Sequence, residues 1–255
     1  MQIPDIRAIV TGGASGLGLA VASRIVSGGG QVTILDINAA QAAAAAAALG
    51  PRAAFTALDV SDEAAVNDAV EPARRTMGGI SVVVNCAGIA TPARFVGKQG
   101  AMPGVFFRRM IEINLVGTVF VSKAAAVAMQ RNEPNAAGER GVIVMTASVA
   151  AFDGQIGQVA YAASKGAIAA ITLPIARELA SSGIRCMTVA PGLFATPMMQ
   201  SLPQEAQDSL GRQVPFPPRL GMPEEYAALV LHIVENVMLN GETIRLDGAI
   251  RMQPR

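Results

Sequence analysis

The chain has 255 residues, of which 51% are apolar and 15% charged, and its formal net charge is +1. A balanced charge without a basic stripe excludes nucleic acid as the expected partner, and no uninterrupted apolar run reaches the roughly 18 residues of a membrane span. The two cysteines have neither ligand nor disulfide spacing, which suits a reducing compartment. The first strand is predicted to start near Ile6, which leaves no room for a signal peptide. We therefore expect a cytoplasmic protein with no membrane partner.

Short β-rich runs alternate with helical stretches from end to end. Strands are predicted at 7–10, 31–36, 53–58, 81–85, 141–147, 184–190 and 243–246, and helices near 16–27, 39–49, 62–77, 105–130, 159–181 and 223–236. Most of the strand segments are continuous apolar runs, as in strands that are covered on both faces. The alternation predicts one α/β domain over residues 1–255, a single-domain Rossmann fold with a doubly wound parallel sheet of about seven strands and helices on both faces. Its ligand crevice should lie beyond the carboxyl ends of the strands.

The segment 11–18, TGGASGLG, follows the first predicted strand and opens the first helix. Gly12, Gly16 and Gly18 would permit a tight turn and a close approach of the backbone to a pyrophosphate, although their spacing departs from the general Gly-x-Gly-x-x-Gly fingerprint. The helix start, with Ser15 and Leu17, would offer N–H groups and a positive dipole to the phosphates. We therefore predict a dinucleotide site here.

Asp36 ends the second predicted strand, eighteen residues after Gly18. A carboxylate at this point can accept hydrogen bonds from the adenosine ribose hydroxyls. It would repel a 2′-phosphate, and no arginine or lysine stands in the glycine loop or beside Asp36 to bind one. The cofactor predicted is NAD rather than NADP; the alternative is an acid that only caps the next helix.

The next two strand ends complete the predicted cofactor site. Asp59 and Val60 close the third strand, where they would contact the adenine ring. The fourth strand closes on a run of small residues that would let the backbone approach the cofactor, namely Asn85, Cys86, Ala87 and Gly88. Ordinary turn chemistry is the alternative explanation of either segment.

Tyr161 and Lys165 form a Tyr-x-x-x-Lys pair in a chain with only two tyrosines and three lysines. On a helix, positions four apart share one face, so the ammonium would lie beside the phenol. A nearby cation lowers a tyrosine pKa, and such a phenol can exchange a proton with an alcohol or a ketone. The alternative is an exposed aromatic ring and a solvated lysine.

Taken together, these motifs resemble the short-chain dehydrogenase/reductase superfamily, and most closely its type 2 3-hydroxyacyl-CoA dehydrogenase branch, also described as 17β-hydroxysteroid dehydrogenase type 10. The segments that carry the resemblance are 11–19, 85–90, 146–157, 173–177, 190–194, 213–221 and 244–253. The resemblance implies an NAD-dependent oxidoreductase that interconverts a secondary alcohol and a ketone, with 3-hydroxyacyl-CoA and 3-oxoacyl-CoA as the first choice. It also implies a homotetramer.

The same resemblance implies residue roles. Tyr161 is expected to be the general acid/base, Lys165 to lower its pKa and bind the nicotinamide ribose, Ser148 to steady the substrate oxygen, Asn114 to hold a water of the proton relay, and Gln155 to face the substrate. The cofactor contacts implied are Ser15, Leu17, Asp36, Asp59, Val60 and Cys86, with Phe194 and Thr196 after Pro191-Gly192 at the nicotinamide end.

Two segments bear on the substrate. Residues 193–220 are rich in Met, Leu, Phe and Pro and are predicted to form a lid over an apolar substrate, for which an acyl chain and a steroid are both suitable; a packed surface loop is the alternative. The segment 91–105 departs most from the branch pattern, and its Arg94 and Lys98 would either meet coenzyme A phosphates or remain solvated.

Other functions stay open at this point. A hydroxysteroid or other secondary-alcohol dehydrogenase would use the same residues. A 3-oxoacyl carrier-protein reductase usually prefers NADPH, which Asp36 disfavours, and a non-catalytic NAD-binding scaffold would typically lose the tyrosine or the lysine. A zinc alcohol dehydrogenase would need Cys86, Cys186 and His232 as ligands, but they lack ligand spacing, so we predict no metal.

Overall fold

The computed structural model describes residues 1–98, 100–200 and 203–254, with the backbone alone at Met198. Gln99, in the segment 91–105, and Ser201 and Leu202, in the predicted lid, lie outside the described residues. The strands are β1 Arg7–Thr11, β2 Gln31–Asp36, β3 Ala53–Ala57, β4 Val82–Asn85, β5 Val96–Gly97, β6 Gly100–Ala101, β7 Gly141–Thr146, β8 Ile184–Pro191 and β9 Thr243–Leu246. The helices are α1 Gly16–Ser27, α2 Ala39–Leu49, α3 Glu63–Met77, α4 Gly104–Ile111, α5 Gly117–Met129, α6 Val159–Leu179, α7 Pro197–Gln200, α8 Gln204–Gly211 and α9 Pro223–Glu235.

Seven strands form one parallel sheet in the order β3-β2-β1-β4-β7-β8-β9. The order reverses at β1, where Ala8 lies between Val32 of β2 and Val82 of β4. In an open α/β sheet the carboxyl ends of the strands beside such a reversal delimit the ligand crevice. The predicted doubly wound Rossmann fold is confirmed.

Both faces of the inner strands of the sheet are buried, which explains their continuous apolar runs. Val10 and Ile34 point to the face covered by α1 and α9, and Ile9 and Leu35 point to the face covered by α3, α5 and α6. Each of these four side chains has no exposed surface. Burying a side chain of this size stabilises the fold by roughly 1.5–3 kcal/mol, so the two cores hold the sheet rigid beneath the strand ends.

The helix predicted near 105–130 proves to be three segments. A π-helical turn, Glu112–Val116, separates α4 from α5. Asn114 lies in this turn, fully buried, and its side chain exchanges two hydrogen bonds with the Ile89 backbone. Such π turns often occur at functional sites. Here the turn ties the loop that follows β4 to the helix layer.

Two helical stretches, 104–129 and 159–182, are long and apolar enough to cross a membrane by length and composition alone. Core helices of globular proteins share these properties, and buried residues of α5 and α6 pack against the sheet. The absence of a membrane partner stays a prediction.

Candidate active site

A crevice of about 520 Å³ runs along the carboxyl ends of the strands. This volume lies within the range of small-molecule and cofactor sites. Of the predicted cofactor and catalytic residues, those that line it are Gly12, Ser15, Gly16, Leu17, Gly18, Asp36, Asp59, Val60, Cys86, Ala87, Gly88, Ser148, Tyr161, Lys165, Pro191, Gly192, Phe194 and Thr196. The structure thus brings residues from distant parts of the chain to one site.

The glycine loop has the shape of a phosphate cradle. Gly12 has a φ of +61°, and a Cβ on Gly18 would lie 2.4 Å from the Gly12 carbonyl oxygen. The turn therefore closes tightly on α1, whose first residue is Gly16 and whose N-cap, Ser15, makes no capping bond with its side chain. The N–H groups of this helix start and the positive end of its dipole suit a pyrophosphate. These residues fit a dinucleotide.

Asp36 lies at the end of β2 beside this loop. Its carboxylate accepts hydrogen bonds from the Ala14 N–H at 3.1 Å and from the Asn38 N–H at 3.0 Å. Among the described residues that line the crevice, Arg109 and Lys165 are the basic ones. Arg109 is paired with Asp59, and Lys165 is 2.7 Å from a backbone oxygen.

Arg109, on α4, was not singled out in the sequence. Its guanidinium donates to Asp59 Oδ2 at 2.7 Å and to Ser61 Oγ at 3.0 Å. Ser61 in turn donates its N–H and O–H to Asp59 Oδ1, at 2.9 and 2.7 Å. Burial raises the pKa of Asp59, but the bonds from Arg109 and Ser61 outweigh it and bring the pKa to about 2. Asp59 is therefore an anion throughout the physiological range.

Ser148, Tyr161 and Lys165 come together at the other end of the crevice. Ser148 and Tyr161 both line the crevice there, and the Ser148 hydroxyl is near enough to the Tyr161 phenol to act on its pKa. Lys165 lies 5.9 Å from the Tyr161 ring centroid and donates to the Thr146 carbonyl oxygen at 2.7 Å. The side chain of Lys165 is 5% exposed. A hydroxyl, a phenol and an ammonium thus converge where a carbonyl or alcohol oxygen can be held.

A lowered pKa was expected for Tyr161, but in the protein alone its pKa is raised. Burial raises this pKa above 10, and the Ser148 hydroxyl only partly offsets the shift. Burial also lowers the pKa of Lys165 to about 8. Because desolvation disfavours the charged form of both groups, lowering the tyrosine pKa would require a further positive charge in the crevice.

Three predicted site residues stand behind or beside the crevice wall. The buried Asn114 donates to Ser164 Oγ at 3.1 Å and holds Ile89, which lines the crevice. Asn85 is 2% exposed and donates to Ser122 Oγ at 3.0 Å, and neither is among the described lining residues. Gln155 donates to the Gln253 carbonyl oxygen at 2.9 Å and is not among the described lining residues.

A hydrogen-bonded cluster beneath Lys165 was also not predicted from the sequence patterns. The Thr146 hydroxyl lies 2.7 Å from the Tyr226 hydroxyl and 3.7 Å from Cys86 Sγ. Tyr226 is fully buried on α9, across the sheet from α6. Since the Thr146 carbonyl oxygen accepts from Lys165, this cluster fixes the strand end to which the lysine is bound. The rule that ligands gather at strand ends could have pointed to Thr146.

The residues considered for a zinc site do not converge. Cys186 is buried in one core, whereas Cys86 packs against the other, and burial raises the pKa of both thiols. His232 lies near Asn236 on α9. Within the described part of the chain, no group of three or more His, Cys, Asp or Glu side chains is placed to hold a metal ion.

The predicted lid contains α7 and α8 and is fixed at its base. Backbone bonds join Gly221 to Leu193 and Ala195, each at 2.8 Å. Pro197 and Met199 of α7 line the crevice. Within 91–105 the chain forms the β5–β6 hairpin, and Arg94 and Lys98 are exposed.

Comparisons with known proteins agree with this site. A family model described as short chain dehydrogenase matches residues 7–207. The chain is 52% identical over 255 residues to a 3-hydroxyacyl-CoA dehydrogenase type-2 of Bos taurus, covering 99% of this chain and 98% of the relative. A protein of the same name from Drosophila melanogaster is 50% identical, with 99% of this chain and all of the relative covered.

A solved structure is similar over nearly all of its length. The crystal structure of 3-hydroxyacyl-CoA dehydrogenase type-2 from Mycobacterium avium has a TM-score of 0.93 and 40% identity, covering 97% of this chain and 96% of the other. With its glycine loop, its parallel sheet and its serine, tyrosine and lysine at one crevice, this chain belongs to the short-chain dehydrogenase family.

Proposed function

We propose that this dehydrogenase interconverts 3-hydroxyacyl-CoA and 3-oxoacyl-CoA with NAD as its cofactor. The observation that carries the proposal is the full-length similarity, at about half identity, to relatives that bear this activity in their name. The crevice supports it, because the Ser148, Tyr161 and Lys165 side chains meet beside apolar lid residues. An acyl substituent on the reacting carbon needs such an apolar surface.

Each polar group of the constellation has a defined part in the reaction. A bound nicotinamide supplies the hydride chemistry at the substrate carbon. Ser148 and Tyr161 hold the substrate oxygen by two hydrogen bonds, and Tyr161 exchanges the hydroxyl proton with it. Lys165 binds the nicotinamide ribose and, with the charge of the oxidised cofactor, favours the phenolate. Asn114 keeps the Ile89 loop in place beside them.

The preference for NAD over NADP is supported by Asp36. Its carboxylate is held by the Ala14 and Asn38 N–H groups at the end of β2. The basic groups of the described crevice wall, Arg109 and Lys165, are engaged elsewhere. An adenosine 2′-phosphate at this carboxylate would meet like charge without a neutralising partner.

We also propose a homotetramer in the cytoplasm. Exposed apolar side chains on the outer faces of α5 and α6, such as Val127 and Leu173, support association. The two free cysteines support a reducing compartment. The near-zero net charge supports a small-molecule substrate rather than nucleic acid.

The test is oxidation of NADH with acetoacetyl-CoA, with NADPH and a steroid ketone in parallel assays. Rapid turnover with NADH and acetoacetyl-CoA is the expected result. If only the steroid were turned over, the proposed substrate would have to be a hydroxysteroid instead of an acyl-CoA. A preference for NADPH would contradict the assignment of NAD as the cofactor.

In Tyr161→Phe, kcat should fall by about 10²–10⁴-fold while NADH binding is retained, because only the proton transfer is lost. A variant that kept most of its activity would exclude Tyr161 as the acid/base.

A further inference from the structure

The ion pair between Arg109 and Asp59 is not explained by a contribution to the stability of the fold. The pair spans 2.7 Å, yet the two side chains are 44% and 31% exposed. Ion pairs exposed to this extent contribute little to the free energy of unfolding. Both residues, however, line the crevice. The pair therefore stands where it can act on a ligand.

The guanidinium orients the Asp59 carboxylate through two routes. One is its direct bond to Oδ2, and the other passes through Ser61, which accepts from Arg109 and donates to Oδ1. The N–H of Ser61 fixes the same oxygen Oδ1. Both carboxylate oxygens are thus held in one orientation, and Oδ2 keeps capacity to accept a further hydrogen bond. Glu112 also faces the guanidinium, with its carboxylate 3.9 Å from Arg109.

A fixed anionic acceptor discriminates between purine bases. Adenine presents a hydrogen-bond donor, the amino group, at its 6-position, whereas hypoxanthine and guanine present a carbonyl oxygen there. A carboxylate accepts from the first and is repelled by the second. Discrimination requires that Asp59 stay ionised and keep its orientation, and Arg109 contributes to both conditions together with Ser61.

We propose that Arg109 is a positioning residue for cofactor selection: with Ser61 it fixes Asp59 as the acceptor that selects a 6-aminopurine dinucleotide. The inference rests on the proposed function, since it assumes that the adenine lies at Asp59. It adds a residue from α4, a helix whose sequence carries no cofactor motif.

The experiment compares binding of NADH with binding of reduced nicotinamide hypoxanthine dinucleotide, followed by dihydronicotinamide fluorescence. The chain has no tryptophan to interfere. The wild-type protein should bind NADH roughly tenfold or more tightly than the hypoxanthine analogue, as one discriminating base contact allows. In Arg109→Met the ratio should fall to within about threefold, mainly through weaker NADH binding.

Control variants separate position from charge. Arg108→Gln removes the same charge from an exposed neighbour on α4 and should keep the wild-type ratio. Arg109→Lys keeps the charge without the planar fork and should give an intermediate ratio. Asp59→Asn should also lose the preference, and adding Arg109→Met to it should cause no further loss, because the two residues act as one unit.

The pH dependence gives a second readout. Without Arg109 the Asp59 carboxylate loses one of its hydrogen bonds and its neighbouring positive charge, so its pKa rises from about 2. The purine preference of Arg109→Met should therefore weaken further at acidic pH, while that of the wild-type protein holds. An unchanged ratio in a folded Arg109→Met protein, or a wild-type protein without preference, would overturn the inference and leave the dehydrogenase proposal intact. A wild-type protein that binds neither dinucleotide would instead overturn the proposed function.

Discussion

Tyr161 lies where the protein alone opposes the ionisation that its proposed role requires. Burial raises its pKa, and the nearest cation, Lys165, has itself lost part of its affinity for a proton. A phenolate that forms only with the oxidised cofactor would couple proton transfer to cofactor binding. The positive charge of an oxidised nicotinamide would supply the field that the protein alone lacks.

This coupling can be observed directly, because the chain has only two tyrosines and no tryptophan. We expect tyrosinate absorbance in the free protein to appear only above pH ~10, since burial raises the pKa of Tyr161 and, more strongly, of Tyr226. Saturating NAD⁺ should bring one tyrosinate to lower pH. Tyr161→Phe should abolish this NAD⁺-dependent signal, and tyrosinate near neutral pH in the free protein would contradict the prediction.

The Asp36 carboxylate has two effects, its negative charge and its hydrogen bonds to the backbone, and the substitution must change mainly the first. The carboxylate should repel a 2′-phosphate, and it also accepts from the Ala14 and Asn38 N–H groups. Asp36→Asn removes the charge and keeps one acceptor oxygen. We expect the ratio of kcat/KM for NADPH to that for NADH to rise about tenfold or more, because a repulsion of order 1–4 kcal/mol disappears.

The control for this variant is Asp5→Asn. It causes the same change of net charge at an exposed residue that precedes β1, at the amino end of the strands and so at the end opposite the crevice. It should leave the ratio of kcat/KM for NADPH to that for NADH unchanged. If the ratio did not move in Asp36→Asn while NADH turnover persisted, Asp36 would not be the residue that selects NAD.

At the scale of elements, the turn between β1 and α1 depends on backbone approach. A Cβ at position 18 would meet the Gly12 carbonyl oxygen at 2.4 Å, a contact that only movement of the turn could relieve. Gly18→Ala should therefore weaken NADH binding at least about tenfold and destabilise the fold by roughly 1–3 kcal/mol. Fluorescence titration and thermal unfolding measure the two effects.

Gly104→Ala is the matched change at the start of α4. There a new Cβ would meet one atom within 4 Å, Arg108 Nη1 at 3.8 Å. Binding of NADH and stability should stay close to the wild-type values. Equal effects of the two substitutions would show that the loss at position 18 is not due to the tight turn.

The sequence predicts the sheet better than it predicts the tertiary contacts. The ends of all seven strands of the main sheet lie within one residue of the predicted positions. In five of them, β1, β2, β4, β7 and β8, burial on both faces requires continuous apolar runs that are readable locally. The π turn around Asn114, the β5–β6 hairpin and the contact of Arg109 with Asp59 follow from tertiary geometry. Arg108 and Arg109 are adjacent and alike in sequence, so nothing local could tell which one faces the crevice.

In the whole molecule, one rigid sheet lies beneath two less regular segments, the predicted lid at 193–220 and the segment 91–105. The strand ends set the positions of Asp36, Asp59 and Thr146, and the two cores on either face hold them there. The lid carries short helices and is joined to this frame through Gly221. We therefore expect cofactor binding to depend on the sheet and substrate range to depend on the segments added to it.

Association should involve the outer sides of α5 and α6. Both helices cover the same face of the sheet, and Val127 and Leu173 remain 51% and 42% exposed. Apolar side chains left in water on long helices favour burial against another copy. We expect a tetramer by light scattering on a sizing column, and a smaller species when both residues are replaced by Glu.

A matched control for this surface is Met238→Glu, on the turn after α9, where the side chain is 89% exposed. It introduces the same charge on another apolar side chain and should preserve the tetramer, since Met238 belongs to neither helix. The double variant should still bind NADH, because the crevice is built within one chain. A monomeric wild-type protein would exclude the tetramer, and a double variant of unchanged mass would place the contact between copies on another surface.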